Sequence, residues 1–389
     1  MSVLGLLERL DTSRFRIIIV PEVAGGKIAT LFGAFGTMPD PARYQSSGAP
    51  GKPFGPMRFA RALRGLPERI RFLRAHNVDI VHSNDGRTHA SWALASRLAG
   101  VPLLWHNRGD PTAAGLRLLA PLLASRVLAV SSFALPRPGL WSAAGKAEVV
   151  HSPFDIGLRV DRSEARRSLA GELGLSDDTL ILGYFGAFVT RKRPLVFIDT
   201  VTRLRSRLDR PVVGVMFGEA RDAAMDKAVR DRIAQHDVSS AVRLMGYRAP
   251  GAYWIGACDQ LVVPAVGEPF GRTLIEAMLV GTPVVAAQSG GNIEALRDGL
   301  GLLVPPDDPD ALAEACVRLA RDPALASAIA ERAATDARHR FGEERHCMRV
   351  SEIYGELMAG SGKLNPLNRP PESPPAADLR GRVSANDPW

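Results

Sequence analysis

Two glutamates, Glu268 and Glu276, stand with seven residues between them in the run Gly267-Glu268-Pro269-Phe270-Gly271-Arg272-Thr273-Leu274-Ile275-Glu276. A carboxylate accepts hydrogen bonds on both oxygens, so it can hold a pair of hydroxyls or face developing positive charge. A strand-like stretch, Asp259–Pro264, comes before the run. An apolar helix follows it and stops at Gly281-Thr282-Pro283, after which Val284–Ala287 reads as a second strand. Glu268 therefore falls on a loop above a strand end, and Glu276 in the first turns of the next helix. Open parallel sheets bind ligands there, beside helix N-termini. Gly271, Arg272 and Thr273 open that helix and can offer backbone N–H groups to an anion. Read locally, each glutamate is equally an acid favoured near a helix start.

Cations stand in a second loop, Gly186-Ala187-Phe188-Val189-Thr190-Arg191-Lys192-Arg193-Pro194. Gly186 gives the turn after a strand, and Arg191, Lys192 and Arg193 supply positive charge. His106 ends the strand-like Leu103-Leu104-Trp105-His106, and His82 ends Asp79-Ile80-Val81-His82. A histidine at a strand end serves either in a site or as a hydrogen-bonded core residue. No cluster of acids and histidines has metal-ligand spacing, so neither a metal nor a bound cofactor is expected.

The elements that must carry these residues alternate between strand-like and helical. A first series runs through Arg16–Val20, Asp79–His82, Val101–His106, Val127–Val130 and Glu148–His151. A second runs through Leu180–Phe185, Pro211–Phe217, Ala241–Leu244, Gln260–Val263 and Val284–Ala287. Two such series imply an α/β protein with two Rossmann-like, doubly wound domains facing a cleft. The expected boundaries are 1–160 and 161–340, a helix over 341–358 crossing between them, and a tail over 359–389. The tail, rich in Pro, Ser, Asn and Asp, reads as disordered.

The 389 residues and 46% apolar content allow two cores. No apolar run approaches the ~20 residues of a membrane-spanning helix. Three widely spaced cysteines, Cys258, Cys316 and Cys347, read as reduced thiols of a cytoplasmic protein. The net charge of +8 raises nucleic acid as a partner, but no binding motif supports it. Arg58, Arg61, Arg64, Arg69, Arg71 and Arg74 alternate with apolar residues in one stretch. Such a helix is either an ordinary surface helix or one that rests on an anionic membrane on its inner face.

The two-glutamate segment, the following Gly281-Thr282-Pro283-Val284-Val285, and Gly290-Gly291 with Glu294 stand in a familiar order. The chain resembles the retaining GT-B glycosyltransferases of family 4, the group 1 glycosyl transferases, over roughly Met1 to Leu357. That resemblance implies a nucleoside diphosphate-sugar as donor substrate and a hydroxyl acceptor, such as a lipid-linked or cell-envelope glycan, with no metal. It implies that Glu276 holds the ribose hydroxyls and that Glu268 contacts the donor sugar. Lys192, with Gly186, Gly271, Arg272 and Thr273, would meet the diphosphate, and His106 the sugar from the N-terminal half. It also implies front-face attack, in which the departing phosphate helps deprotonate the acceptor.

The sequence departs from the family pattern in two places. Ala187 stands where the family has an arginine, which leaves that role to Arg191 or Arg193. Leu4–Asp11 looks like the end of a helix and Ser13–Val20 like a second strand, so the first strand of the N-terminal domain is expected either to lie upstream or to be lost from a damaged domain. A competing reading takes Arg16–Val20 as the first strand and Gly25-Gly26 as its turn. Both departures leave open a non-catalytic nucleotide-sugar-binding protein.

Overall fold

The computed structural model describes residues 2–23, 26–42, 63 and 65–360. The chain divides into two compact units, one of Met1–Pro153 together with the chain from Glu343, the other centred on Phe154–Gly342.

The second unit is built on six parallel strands: β5 (Leu180–Phe185), β6 (Val212–Phe217), β7 (Val242–Gly246), β8 (Gln260–Val263), β9 (Val284–Ala287) and β10 (Leu302–Val304). Their spatial order is β10-β9-β8-β5-β6-β7. The chain winds outward from β5 in one direction and from β8 in the other, so the order reverses between those two. This is the doubly wound arrangement, whose crevice lies at the carboxyl ends of the two central strands. β5, β6, β8 and β9 are buried at every position. Continuous apolar runs are what a parallel sheet covered on both faces requires. Helices Pro194–Arg205 and Pro309–Arg321 add Phe197, Ile198, Val201, Leu204 and Leu312 to the same core. β10, only three residues long, had no distinct signal in the sequence.

The first unit has four parallel strands in sequential order: β1 (Val81–Ser83), β2 (Leu103–Asn107), β3 (Arg126–Ala129) and β4 (Ala147–Val149). Helix Gly86–Ala99 crosses from β1 to β2. Its start is fixed by a reciprocal cap in which Asp85 accepts from Arg87 and Thr88 while Thr88 accepts from the Asp85 N–H. Helix Glu343–Gly360 belongs to this unit, and its Cys347, Val350 and Ile353 pack with Leu104 and Leu128 of the sheet.

Arg16–Val20 does not form a strand. Ile19 makes one isolated parallel bridge to Thr37, and Ile17 and Ile19 contribute to the core as partly buried side chains. Among the described residues no strand precedes Val81. The apolar run is thus used for packing, with little pairing of its backbone.

Of the arginine-rich stretch, Arg58, Arg61 and Arg64 lie outside the described residues, as does the tail from Ser361. Helix Leu66–Ala75 is formed. Arg69, however, is not on a solvated face: it is 1% exposed, 2.8 Å from Asp40 Oδ2 and stacked over Trp92. A buried guanidinium needs such a partner. Among the described residues no helix is long and apolar enough to cross a membrane. Cys258, Cys316 and Cys347 are free and buried.

Candidate active site

The loops that leave β5 and β8 are the ones that carry the predicted residues. After β5, Gly186 has φ +141°, a conformation that disfavours side chains, and the Lys192 side chain runs past it. A Cβ on Gly186 would stand 3.5 Å from Lys192 Cε, in ordinary contact, so φ and not space selects glycine there. The loop closes in a turn over Thr190–Lys192. Arg193 then adopts a left-handed conformation and Pro194 begins the next helix.

The β8 loop is tied on both sides. On one, Val266 N–H donates to the Arg191 carbonyl at 2.9 Å. On the other, Gly267 N–H donates to Ser289 Oγ at 3.0 Å, and Gly291 N–H to the Glu268 carbonyl at 2.7 Å. Gly290 has φ +60°, and a Cβ there would lie 2.5 Å from the Glu268 carbonyl oxygen. Only glycine allows the two backbones to come this close. Asn292, fully buried, donates to the carbonyls of Ala265 and Ala287 and so joins the β8 and β9 loops. Gly290 and Gly291 stood out in the sequence. Ser289 and Asn292 did not, because a polar residue beside a glycine pair carries no signal of its own.

Glu268 is the centre of charge. It is 8% exposed, pairs with Arg191, and has Lys192 Nζ 2.8 Å from Oε2. Burial alone would raise its carboxyl pKa. Lys192 and Arg191 outweigh that and hold it below the usual carboxylate range. Lys192 is the more enclosed cation, 17% exposed against 43% for Arg191. Ala187 offers no charge, and Arg191 supplies the second cation on this loop.

Helix Arg272–Val280 starts at Gly271, which is left-handed at φ +74° with no side-chain cap. The N–H groups of its first turn are therefore not met by a capping side chain. Arg272 lies 4.3 Å above the Phe154 ring, with Nη2 3.8 Å from Glu276 Oε1. Glu276 is half-buried, and desolvation raises its pKa although Arg272 opposes the shift. Glu268, Lys192, Glu276, Gly186, Gly271, Arg272 and Thr273 are thus all carried by the two loops at the sheet's point of reversal or by the helix that follows.

Residues 179–322 match the sequence profile described as Glycosyl transferases group 1. That stretch of the chain is similar to the group 1 glycosyl transferases. Among curated proteins, the D-inositol 3-phosphate glycosyltransferase of Streptomyces bingchenggensis is 33% identical over 233 residues, covering 57% of this chain and 50% of that protein. The protein of the same description from Salinispora arenicola is 32% identical over 231 residues, with 56% and 51% covered. The matched region thus spans about half the length of these relatives. HepE of Anabaena, solved in complex with UDP and glucose, has a TM-score of 0.75 at 23% identity, covering 90% of this chain and 94% of that one. A glycosyltransferase of Rickettsia africae has a TM-score of 0.76 at 18% identity, with 92% and 94% covered. These likenesses show the fold, two parallel α/β units of the GT-B kind.

His106 belongs to the first unit. Its side chain is fully buried, its ring near-parallel to those of His82 and His346, with centroids 5.4 Å and 6.0 Å away. His82 lies with it, Nε2 3.2 Å from His106 Nδ1. Burial, and then Arg108, push the pKa of His82 down to about 3 and that of His106 well below its ordinary value. His89 donates to the His106 carbonyl and stacks on Trp105 at 4.1 Å. The sequence reading did not single out Arg108, His346 or Tyr354. The last two sit 240 or more positions from His106, on a helix that the sequence marked only as a crossover between domains. Among the described residues no group of three His, Cys, Asp or Glu side chains could hold a metal ion.

Proposed function

We propose that this chain is a retaining glycosyltransferase that moves a sugar from a nucleoside diphosphate-sugar to a hydroxyl acceptor. The observation that carries the proposal is Glu268 held between Lys192 and Arg191, on the β8 loop one helical segment before Glu276. Glycosyl transfer builds positive charge at the anomeric carbon and negative charge on the departing diphosphate. A carboxylate kept ionised beside two cations answers both, provided that the groups are placed before the reaction begins.

In this reading Glu276 accepts from the ribose hydroxyls, and Glu268 accepts from a sugar hydroxyl and faces the oxocarbenium-like carbon. Lys192 and the N–H groups of Gly271, Arg272 and Thr273 neutralise the diphosphate. Arg191 takes the share that Ala187 cannot. The departing phosphate removes the acceptor proton, and no protein nucleophile is needed. HepE, of similar fold, was solved with UDP-glucose, which favours a uridine nucleotide here as well. A lipid-linked or cell-envelope glycan remains the acceptor class that we propose, handled at the inner face of the membrane.

The test is nucleotide release from a panel of UDP- and GDP-sugars. We expect turnover with a UDP-sugar that Glu268→Ala abolishes and Lys192→Ala lowers at least about a hundredfold, while Glu268→Ala still binds UDP. Unchanged release in both variants would refute the assignment. Binding of the donor by the unaltered chain without release on any acceptor would favour the non-catalytic reading suggested by Ala187.

A further inference from the structure

The first unit holds a chain of polar side chains whose hydrogen positions can be derived from their partners. Arg108 sets the direction. A guanidinium has donors only, so His106 Nδ1, 3.3 Å from Arg108 Nη2, is an acceptor. His82 Nε2 lies 3.2 Å from the same Nδ1 and must carry its proton. His82 Nδ1 is then bare, and the Tyr354 hydroxyl at 2.7 Å donates to it. A neutral His106 is left with its one proton on Nε2.

The contact with His346 reads in the opposite sense. His346 Nδ1 lies 2.7 Å from the His151 carbonyl, which can only accept, so His346 is protonated on Nδ1 and bare on Nε2. Two ring nitrogens remain, His106 Nε2 and His346 Nε2, and both are buried without a hydrogen-bond partner among the described residues. Their rings lie 6.0 Å apart, 25° from parallel. One nitrogen can only donate and the other only accept.

None of the three rings is charged. Burial first, and Arg108 beside them, keep His82 at about 3 and His106 well below its usual value. For His346 burial again dominates, and its pKa falls to about 4. The charged and titratable groups around the chain are Arg108, His89, His151 and Tyr354; among the described residues no carboxylate is paired with any of the three rings that could hold a second proton there.

We propose that Arg108, His82 and Tyr354 are positioning residues that hold His106 as a neutral imidazole with its proton on Nε2. His106 then serves as a hydrogen-bond donor and never as a base or a cation. The role assigned to that donor rests on the transferase reading above; the protonation pattern does not. His346 and Tyr354 give the Glu343–Gly360 helix a part in the chemistry of the β2 end as well as in its packing.

Long-range proton–nitrogen correlation spectra of the full chain with labelled histidine decide the pattern without any turnover. At pH 7 we expect His82 and His106 in the Nε2–H form, His346 in the Nδ1–H form, and no imidazolium among them down to pH 5. Tyr354→Phe should shift His82 Nδ1 towards the position of an unbonded acceptor nitrogen and leave both Nε2 protons in place. Arg108→Met should spread His106 over both tautomers. His106 found protonated on Nδ1, or as imidazolium at pH 7, in the unaltered protein would overturn the proposal. In transfer assays His106→Gln, which keeps a donor, should stay within about tenfold of the unaltered rate while His106→Ala loses about a hundredfold. Equal losses in the two variants, with the tautomers as expected, would remove the donor role.

Discussion

At the carboxyl end of β8 a carboxylate is buried with two cations against it, whereas around β2 three imidazoles are buried and none is charged. Both regions place ionisable groups away from water, and each meets the cost differently. Glu268 stays ionised because Lys192 and Arg191 return what desolvation removes. The histidines give up their second proton because burial disfavours the charged ring and the nearest charge, Arg108, is of the same sign and adds to that effect. A nearby charge can thus offset the effect of burial or add to it, and its sign decides which. One region is suited to meeting charge that develops during a reaction, the other to presenting fixed hydrogen bonds.

The contrast predicts a different response to acid in the two units. Below the ordinary histidine value of about 6.5, the unfolded chain takes up protons that the buried rings refuse. Stability present above pH 6.5 is therefore lost as pH falls towards the folded values, about 3 for His82 and His89 and about 4 for His346. Between pH 7 and 5 each such ring costs about 2 kcal/mol. In the second unit Glu268 is shifted down and Glu276 up, so their effects oppose each other. Amide hydrogen exchange, followed by peptide and corrected for intrinsic rates, should show the larger loss in Val81–Val149 peptides. Parallel loss in both units would break the comparison.

Next in size is the division between the two cations. Lys192→Ala should lower kcat/KM about 10²- to 10³-fold. Arg191→Ala should cost roughly tenfold, because the exposed cation is shared with water. The reverse order would make Arg191 the principal phosphate-facing group. A smaller effect is expected from Gly290→Ala, which places a Cβ 2.5 Å from the Glu268 carbonyl oxygen at φ +60°. It should destabilise the second unit by about 1–3 kcal/mol in denaturant titration. Smallest is Arg272→Ala. It removes a contact with Phe154 worth about 0.5–1 kcal/mol and should weaken nucleotide binding less than about fivefold by calorimetry.

How much of this could be read beforehand differs between the units for a physical reason. β5, β8 and β9 matched their predicted spans because a strand covered on both faces must be apolar throughout, and that leaves a continuous run in the sequence. Arg16–Val20 shows an equally apolar run, yet it forms one bridge and packs its side chains, because pairing needs a neighbouring strand and apolarity does not supply one. Arg69 looked like part of a solvated basic face. Asp40, 29 positions earlier, is what allows it inside.

The sequence by itself determined the two-series α/β organisation, the two loops that carry Lys192 and Glu268, and the spacing of Glu268 and Glu276 around a glycine turn. These are local facts, set by residue type and by spacings of at most a dozen positions. Only the tertiary structure decided that Arg191 faces Glu268, that Asn292 ties the β8 and β9 loops, and that Tyr354 reaches His82 across 272 positions. Protonation followed the same division. A carboxylate or an imidazole is named by its position in the chain, but its charge is fixed by groups brought to it from elsewhere in the fold.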